Sequence, residues 1–141
     1  MTPPASPRHM DLAATLLALV REMLGGKVLP ECSIVTEEGI RVADVVWCSE
    51  EFVRRHAHEF ESWAAALSAA PELCIEIKSP ANALGELREK LTLYLASGAK
   101  EGWIVHPDGR IEILGEVGDR DTSCFPVDLD RIGRTLSRPV Q

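Results

Sequence analysis

The segment Pro71-Glu-Leu-Cys-Ile-Glu-Ile-Lys-Ser-Pro80 constrains this chain more than any other. Its apolar residues suit a buried strand, yet it carries Glu76 and Lys78. Successive side chains of an extended chain point to opposite faces, so Leu73, Ile75 and Ile77 share one side and Cys74, Glu76 and Lys78 the other. The acid and the amine then stand side by side, roughly 6.5 to 7 Å apart at about 3.3 Å of rise per residue. Opposite charges in a core are costly unless they pair or bind something. A second charge interrupts an apolar run upstream, in Gly39-Ile-Arg-Val-Ala-Asp-Val-Val-Trp47. Alternation sets Val42, Asp44 and Val46 on one face and Arg41, Ala43, Val45 and Trp47 on the other, leaving Asp44 among valines.

If these two strands are neighbours, Asp44, Glu76 and Lys78 converge. Two carboxylates offer hard oxygen donors to Mg²⁺ or Mn²⁺, and magnesium keeps several waters that a phosphate oxygen can replace. The ammonium of Lys78 would orient or help deprotonate an attacking water and offset charge growing on phosphorus. Such a set suits phosphodiester hydrolysis. Cys74 on the same face reads either as a nucleophile or as a small apolar neighbour of Glu76, and free cysteine is among the most buried residue types.

Around these strands the pattern predicts a helix over Met10 to Leu24, with Leu12, Leu16, Leu19, Val20 and Met23 on one face and Gly25-Gly26 as its stop. Lys27 to Trp47 reads as a hairpin, with strands Cys32 to Thr36 and Ile40 to Trp47 about Glu37-Glu-Gly39. Ser49-Glu-Glu51 opens one or two helices that end by Ala70. After the Glu76 strand, Ser79-Pro80 or Asn82 caps a helix to about Ser97, which sets Lys90 and Tyr94 four apart on one face. A second hairpin, Gly102 to His106 and Arg110 to Leu114, turns at Pro107-Asp-Gly109. The tail is expected to add a short strand near Phe125 and a helix from about Asp128.

These residues together resemble the PD-(D/E)xK nuclease superfamily, through Asp44 and Glu76-Ile-Lys78. His9 at the head of a long helix, Arg41-Val-Ala-Asp44, Pro71-Glu-Leu-Cys-Ile-Glu76, Ser79-Pro-Ala-Asn82, Glu89-Lys90, Leu93-Tyr94 and Gly98-Ala-Lys-Glu-Gly-Trp103 are similar to the Uma-two family of restriction-endonuclease-type proteins. The likeness spans roughly residues 9 to 115. It departs where Ala43 replaces the proline that often precedes the aspartate, which removes a backbone constraint but no ligand. It departs again before His9, where only Met1 to Arg8 stand in place of a hairpin. The resemblance implies an α/β fold, a restriction-endonuclease-like mixed β-sheet flanked by helices. It further implies a metal held by Asp44, Glu76 and the carbonyl of Ile77, with Lys78 at the water and Lys90 on a substrate phosphate. Lys90 otherwise reads as a surface lysine paired with Glu86 at i, i+4. Tyr94 joins Lys90 as a secondary candidate. Glu22 and Glu31 are each a third acidic ligand or a surface acid, and His9 is a base, a substrate contact or a solvent-facing residue.

At 141 residues the chain suits one domain over residues 9–141 behind a loose arm, Met1 to Arg8. The longest apolar stretch, Leu12 to Val20, is too short to cross a bilayer and follows no basic leader, so a cytoplasmic protein is expected. Scattered Cys32, Cys48, Cys74 and Cys124 read as free thiols. His56 and His58, two apart, make a poor metal pair on a helix. A net charge of −7 counts against broad non-specific coating of nucleic acid, although a local basic rim drawn from Arg8, Arg41, Arg54, Arg55, Arg88, Lys90 and Lys100 would serve a small contact. The leading expectation is a Mg²⁺- or Mn²⁺-dependent endonuclease acting on DNA as a homodimer, since cutting both strands takes two sites. The alternatives are a non-catalytic nucleic-acid-binding or assembly module on the same fold, or an RNA-directed nuclease. Trp47, Trp63 and Trp103 read as core or dimer contacts.

Overall fold

The computed structural model describes residues 6–139; the loose arm expected at the N-terminus lies, for residues 1–5, outside the described residues. Helix α1 spans Pro7–Leu24, three residues earlier than Met10. Ser6 explains the earlier start: its hydroxyl accepts the His9 N–H, and Pro7 behind it has no N–H to satisfy. Strands β1 (Lys27–Thr36) and β2 (Gly39–Cys48) form the first hairpin. Short helices α2 (Glu50–Arg55) and α3 (Ala57–Glu61) follow. Then come β3 (Leu73–Ile77), α4 (Leu84–Ala96), β4 (Glu101–Val105) and β5 (Ile111–Gly115). The chain closes with β6 (Gly118–Arg120) and α5 (Leu129–Leu136), which Asp128 caps. No strand forms at Phe125, because Glu101 takes the backbone N–H of Cys124 and the Ser123 hydroxyl and holds that segment irregular.

The six strands make one sheet in the order β1-β2-β3-β4-β5-β6. Every pair is antiparallel except β3 with β4, which α4 connects as a crossover. Each face buries its own core. Leu12, Leu16, Leu19 and Val20 of α1 and Ile132 and Leu136 of α5 cover Val45, Leu73, Ile75, Ile77, Trp103 and Val105. On the other face Leu87, Leu91 and Tyr94 of α4, with Phe52 of α2, cover Ile34, Ala43, Val46, Cys74 and Ile104. Helix α4 can approach β4 closely because Gly102 has no side chain: a Cβ there would meet Leu91 Cδ2 at 2.8 Å. That approach sets the depth of the face from which Lys90 and Tyr94 project.

Strict alternation fails at one place. Ala43 and Cys32 pack into the α4-side core, whereas Val45 packs into the α1-side core, although residues two apart on a strand should share a face. The break lies at Glu31 and Asp44. Pairing runs to Pro30↔Val45 and resumes at Cys32↔Ala43, and Glu31 between them has φ 46°. The sequence-based assignment of Ala43 and Val45 to one face is therefore corrected. A local phase shift turns both strands by one residue, much as a bulge re-aims a side chain. Trp63, expected in a core or contact, is fully exposed.

Candidate active site

The phase shift delivers Asp44 to the site. β2 pairs with β3 from Trp47↔Leu73 to Val45↔Ile75 and goes no further, so Asp44 and Glu76 would be the next rung. In place of that rung the Asp44 carboxylate accepts the Ile77 N–H at 2.7 Å. One amide that would otherwise be left at the end of the ladder is satisfied by a side chain rather than by backbone. The same oxygen, Oδ2, lies 3.3 Å from His9 Nε2 at the first turn of α1. Thus α1 caps the carboxylate from one face of the sheet.

Glu76 faces α4 from the middle of the sheet and is 2 % exposed. Its two oxygens have different partners. Lys90 Nζ reaches Oε1 at 2.8 Å, and the Tyr94 hydroxyl donates to Oε2 at 3.2 Å. Lys90 also donates to the Val42 carbonyl at 2.8 Å, so its ammonium ties β2 to β3 where their ladder has stopped. Burial pushes the Glu76 carboxyl up to about 7, and the charge of Asp44 adds to the rise; Lys90 and Tyr94 oppose it. Burial likewise raises the Tyr94 phenol, with Glu76 adding to it, so Tyr94 acts here as a hydrogen-bond donor.

Five of the residues singled out in the sequence therefore meet at one end of β3: His9, Asp44, Glu76, Lys90 and Tyr94, with the backbone of Ile77. Lys90 pairs with Glu76 rather than with Glu86. Lys78 stands apart from them. β3 ends at Ile77, and the Lys78 ammonium turns to the Ser79 carbonyl at 2.6 Å, so the side-by-side pairing of Glu76 and Lys78 expected from alternation gives way to a pair between Glu76 and α4. Glu22 lies near the opposite end of α1, about 20 Å along the helix from His9, and pairs with Arg131 at 2.8 Å. Glu31 sits across from Asp44 in the register but is exposed. Among the described residues no three His, Cys, Asp or Glu side chains are grouped to hold a metal ion; Asp44 and Glu76 stand as a pair.

Cys74 is fully buried, and burial raises its thiol well above the ordinary range, which suits a packing role and not a nucleophile. Sequence reasoning missed a second polar cluster nearby. Glu112 of β5 accepts from Arg88 of α4 at 2.5 Å and meets His106 Nε2 at 2.6 Å. The signal was there, since Arg110-Ile-Glu-Ile113 breaks an apolar strand with charge just as Glu76 does. His56 pairs locally with Glu59 and stacks on Phe52, apart from this region in sequence and helix.

No helix among the described residues is long and apolar enough to cross a membrane. A solved structure, described as "a putative nuclease belonging to DUF820 from Anabaena variabilis ATCC 29413", superposes with a TM-score of 0.73 over 96% of this chain and 86% of that one, at 15% identity. At that identity the likeness shows a shared fold: a mixed sheet flanked by helices. No curated protein matches the chain. The Uma2 family, described as "Putative restriction endonuclease", matches residues 1–121. With the match covering most of its length, the chain belongs to the Uma2 family.

Proposed function

We propose that this protein is a divalent-metal-dependent endonuclease that hydrolyses DNA phosphodiester bonds by attack of water, working as a homodimer. The observation that carries the reading is the meeting of Asp44 and Glu76 at the point where the β2–β3 ladder ends, with the Lys90 ammonium on Glu76. Nuclease-type fold and family membership support it.

The donor set fits a hard cation. Asp44 Oδ1 carries no hydrogen bond among the described residues, Glu76 is held protonated to about 7 partly by the charge of Asp44, and the carbonyl of Ile77 follows on the same strand. A positive charge between the two carboxylates would relieve that repulsion. Asp44, Glu76 and Ile77 are thus the proposed ligands of Mg²⁺ or Mn²⁺, which when bound supplies Lewis-acid stabilisation of the phosphoryl oxygens. The chain's own groups do the rest. His9 and the Ile77 N–H orient the Asp44 carboxylate. Lys90, anchored on the Val42 carbonyl, offers positive charge to a substrate phosphate, and Tyr94 keeps Glu76 in one rotamer. Lys78 is free to swing from a single backbone carbonyl toward the water.

One observation favours a second reading. Both Glu76 oxygens already have partners and the carboxyl is nearly inaccessible, as in a site that is satisfied without metal. A nucleic-acid-binding or assembly module would retain such a cluster. Cleavage of supercoiled plasmid, single-stranded DNA and RNA with Mg²⁺ or Mn²⁺ separates the two. The nuclease reading expects cleavage of DNA that falls at least about a hundredfold in Asp44→Ala and Glu76→Ala. Equal traces of cleavage in all three proteins would mark a contaminant and leave the binding module. Cleavage confined to RNA would change the substrate and keep the chemistry.

A further inference from the structure

Two rows beyond the acidic pair, three strands end in Lys78, His106 and Arg110, of which the proposed chemistry uses only Lys78. Ile77 pairs with Val105 and Val105 with Ile111, so the next row holds Lys78, His106 and Arg110. Backbone hydrogen bonds stitch it together: the Lys78 N–H to the Val105 carbonyl and the His106 N–H to the Arg110 carbonyl, each at 2.8 Å. Two rows beneath, on the strands themselves, stand Glu76, Ile104 and Glu112. Glu76 bonds Lys90 and Glu112 bonds Arg88, both on α4. Residues two apart on a strand share a face, so His106 and Arg110 go with Ile104 and Glu112 to the α4 side of the sheet, while Lys78 lies just past the end of β3.

The charges in this corner do not cancel. Arg88 and Glu112 form an ion pair, and Arg88, with His106 adding to it, holds the Glu112 carboxyl below its ordinary value. His106 is buried, with Nε2 on Glu112 at 2.6 Å and Nδ1 at 3.3 Å from Arg110 Nη2. A guanidinium only donates, so Arg110 meets Nδ1 as the donor while Nε2 lies on Glu112. Arg110 is exposed and spends one N–H on His106, leaving the others to solvent. Neither the Arg110 guanidinium nor the Lys78 ammonium forms an ion pair among the described residues, and Asp108 Oδ1 accepts only the Arg110 backbone N–H, at 3.0 Å. Their backbones stand two strand spacings apart, about 10 Å. On a chain of net charge −7, two unneutralised cations beside a carboxylate pair mark where a polyanion can approach that pair.

We propose that Arg110, with Lys78 across the same row, seats a backbone phosphate of the substrate DNA adjacent to the phosphate that is cleaved. The inference rests on the nuclease reading above and extends it to how the substrate strand is aligned. The planar fork of an arginine matches two phosphate oxygens, and a guanidinium held by an imidazole loses less freedom on binding. His106 and Glu112 are positioning residues in this arrangement. They pass the anchorage of Arg88 on α4 across to Arg110 without taking its charge.

The test is equilibrium binding of a fluorescein-labelled duplex of about 30 base pairs to the full chain in EDTA, followed by anisotropy from about 50 to 300 mM NaCl. Arg110→Ala is expected to weaken binding about tenfold near 100 mM and to flatten the dependence of log affinity on log salt by about 0.9, the loss of one phosphate contact. Arg110→Lys keeps the charge and is expected to restore the slope but not all the affinity, a rescue that a folding defect cannot mimic. Arg134→Ala, exposed on α5 across the sheet, is expected to change neither. Wild type that binds while Arg110→Ala shows an unchanged slope overturns the phosphate seat and leaves the nuclease reading standing. Wild type that neither binds this duplex nor cleaves DNA with Mg²⁺ overturns both.

Discussion

Two glutamates are buried on neighbouring strands of this sheet, and they solve the same problem in different ways. Glu76 on β3 is 2 % exposed and Glu101 on β4 is 0 % exposed. Glu101 is surrounded by neutral donors: Trp103 Nε1 at 2.8 Å, the Cys124 N–H at 2.8 Å and the Ser123 hydroxyl. Among the described residues its hydrogen-bond partners are all uncharged, and these bonds pin the segment between β6 and α5 onto the sheet. Glu76 has a second carboxylate, Asp44, opposite it where the ladder stops, and an ammonium offsets it. The first arrangement is complete as it stands, whereas the second is left with repulsion that a cation would remove. A buried charge is therefore not by itself a sign of function; what distinguishes Glu76 is the company of Asp44.

The comparison breaks most sharply at Glu101. Glu101→Ala strands three donors, one of them on the buried Trp103, and leaves a void behind the β6–α5 segment. The expected loss is roughly 3–5 kcal/mol of unfolding free energy in urea. Glu101→Gln keeps the shape and an acceptor and is expected to lose about 1–2 kcal/mol. Metal-dependent cleavage by the folded Glu101→Gln protein should stay within a few-fold of wild type. A collapse of cleavage in well-folded Glu101→Gln would mean that the two acids are not separate in role.

Glu76 sharpens the comparison through pH. Its carboxyl ionises at an ordinary 4.5 when unfolded and at about 7 when folded, raised by burial first and by Asp44 second. Between those values the folded state binds more protons than the unfolded state, so stability falls as pH rises. The contribution is fully present below pH 4.5 and lost as pH passes 7. On the order of 3 kcal/mol is at stake in metal-free protein. Urea titrations from about pH 5 to 8 should show this slope in EDTA, a smaller slope with Mg²⁺, and almost none in Glu76→Gln. A slope in Glu76→Gln equal to that of wild type would assign it to other groups.

What could be read from the sequence follows from how each residue acts. Asp44 and Glu76 were legible because each is an acid in an apolar strand, whereas Lys90 and Tyr94, four apart on a helix, stood out only beside the family resemblance. Asp44 still reached the site by a route that alternation forbids. The φ of 46° at Glu31 and the carboxylate bond to the Ile77 N–H arise from two strands meeting, and no single strand encodes them. The side-by-side placement of Lys78 with Glu76 failed for a related reason. Period-two geometry assumes the strand continues, and this one stops at Ile77, ahead of Ser79-Pro80. Glu101 and the His106–Glu112–Arg88 cluster escaped notice because their partners lie on other elements, at separations of 22 and 24 residues for Ser123 and Arg88.

The smallest of the expected effects probes how the two regions are joined. Gly102 lies between Glu101 and Trp103 on β4 and pairs with Cys74 on β3. It is also where Leu91 presses α4 onto the sheet, so one position touches the anchorage of both acids. An alanine Cβ would lie 2.8 Å from Leu91 Cδ2 and 3.2 Å from Cδ1. Leu91 is 1 % exposed, so its side chain has little room to turn aside. Gly102→Ala is therefore expected to cost about 1–2 kcal/mol through overpacking. Lifting α4 moves Lys90 and Tyr94 away from Glu76 but leaves the donors of Glu101 in place, since none of them is on that helix. Cleavage should consequently fall more than the stability loss explains, and hydrogen exchange should speed up in α4 while the 121–127 segment stays protected. Equal loosening of both would show that the packing of α4 supports the Glu101 pin as well.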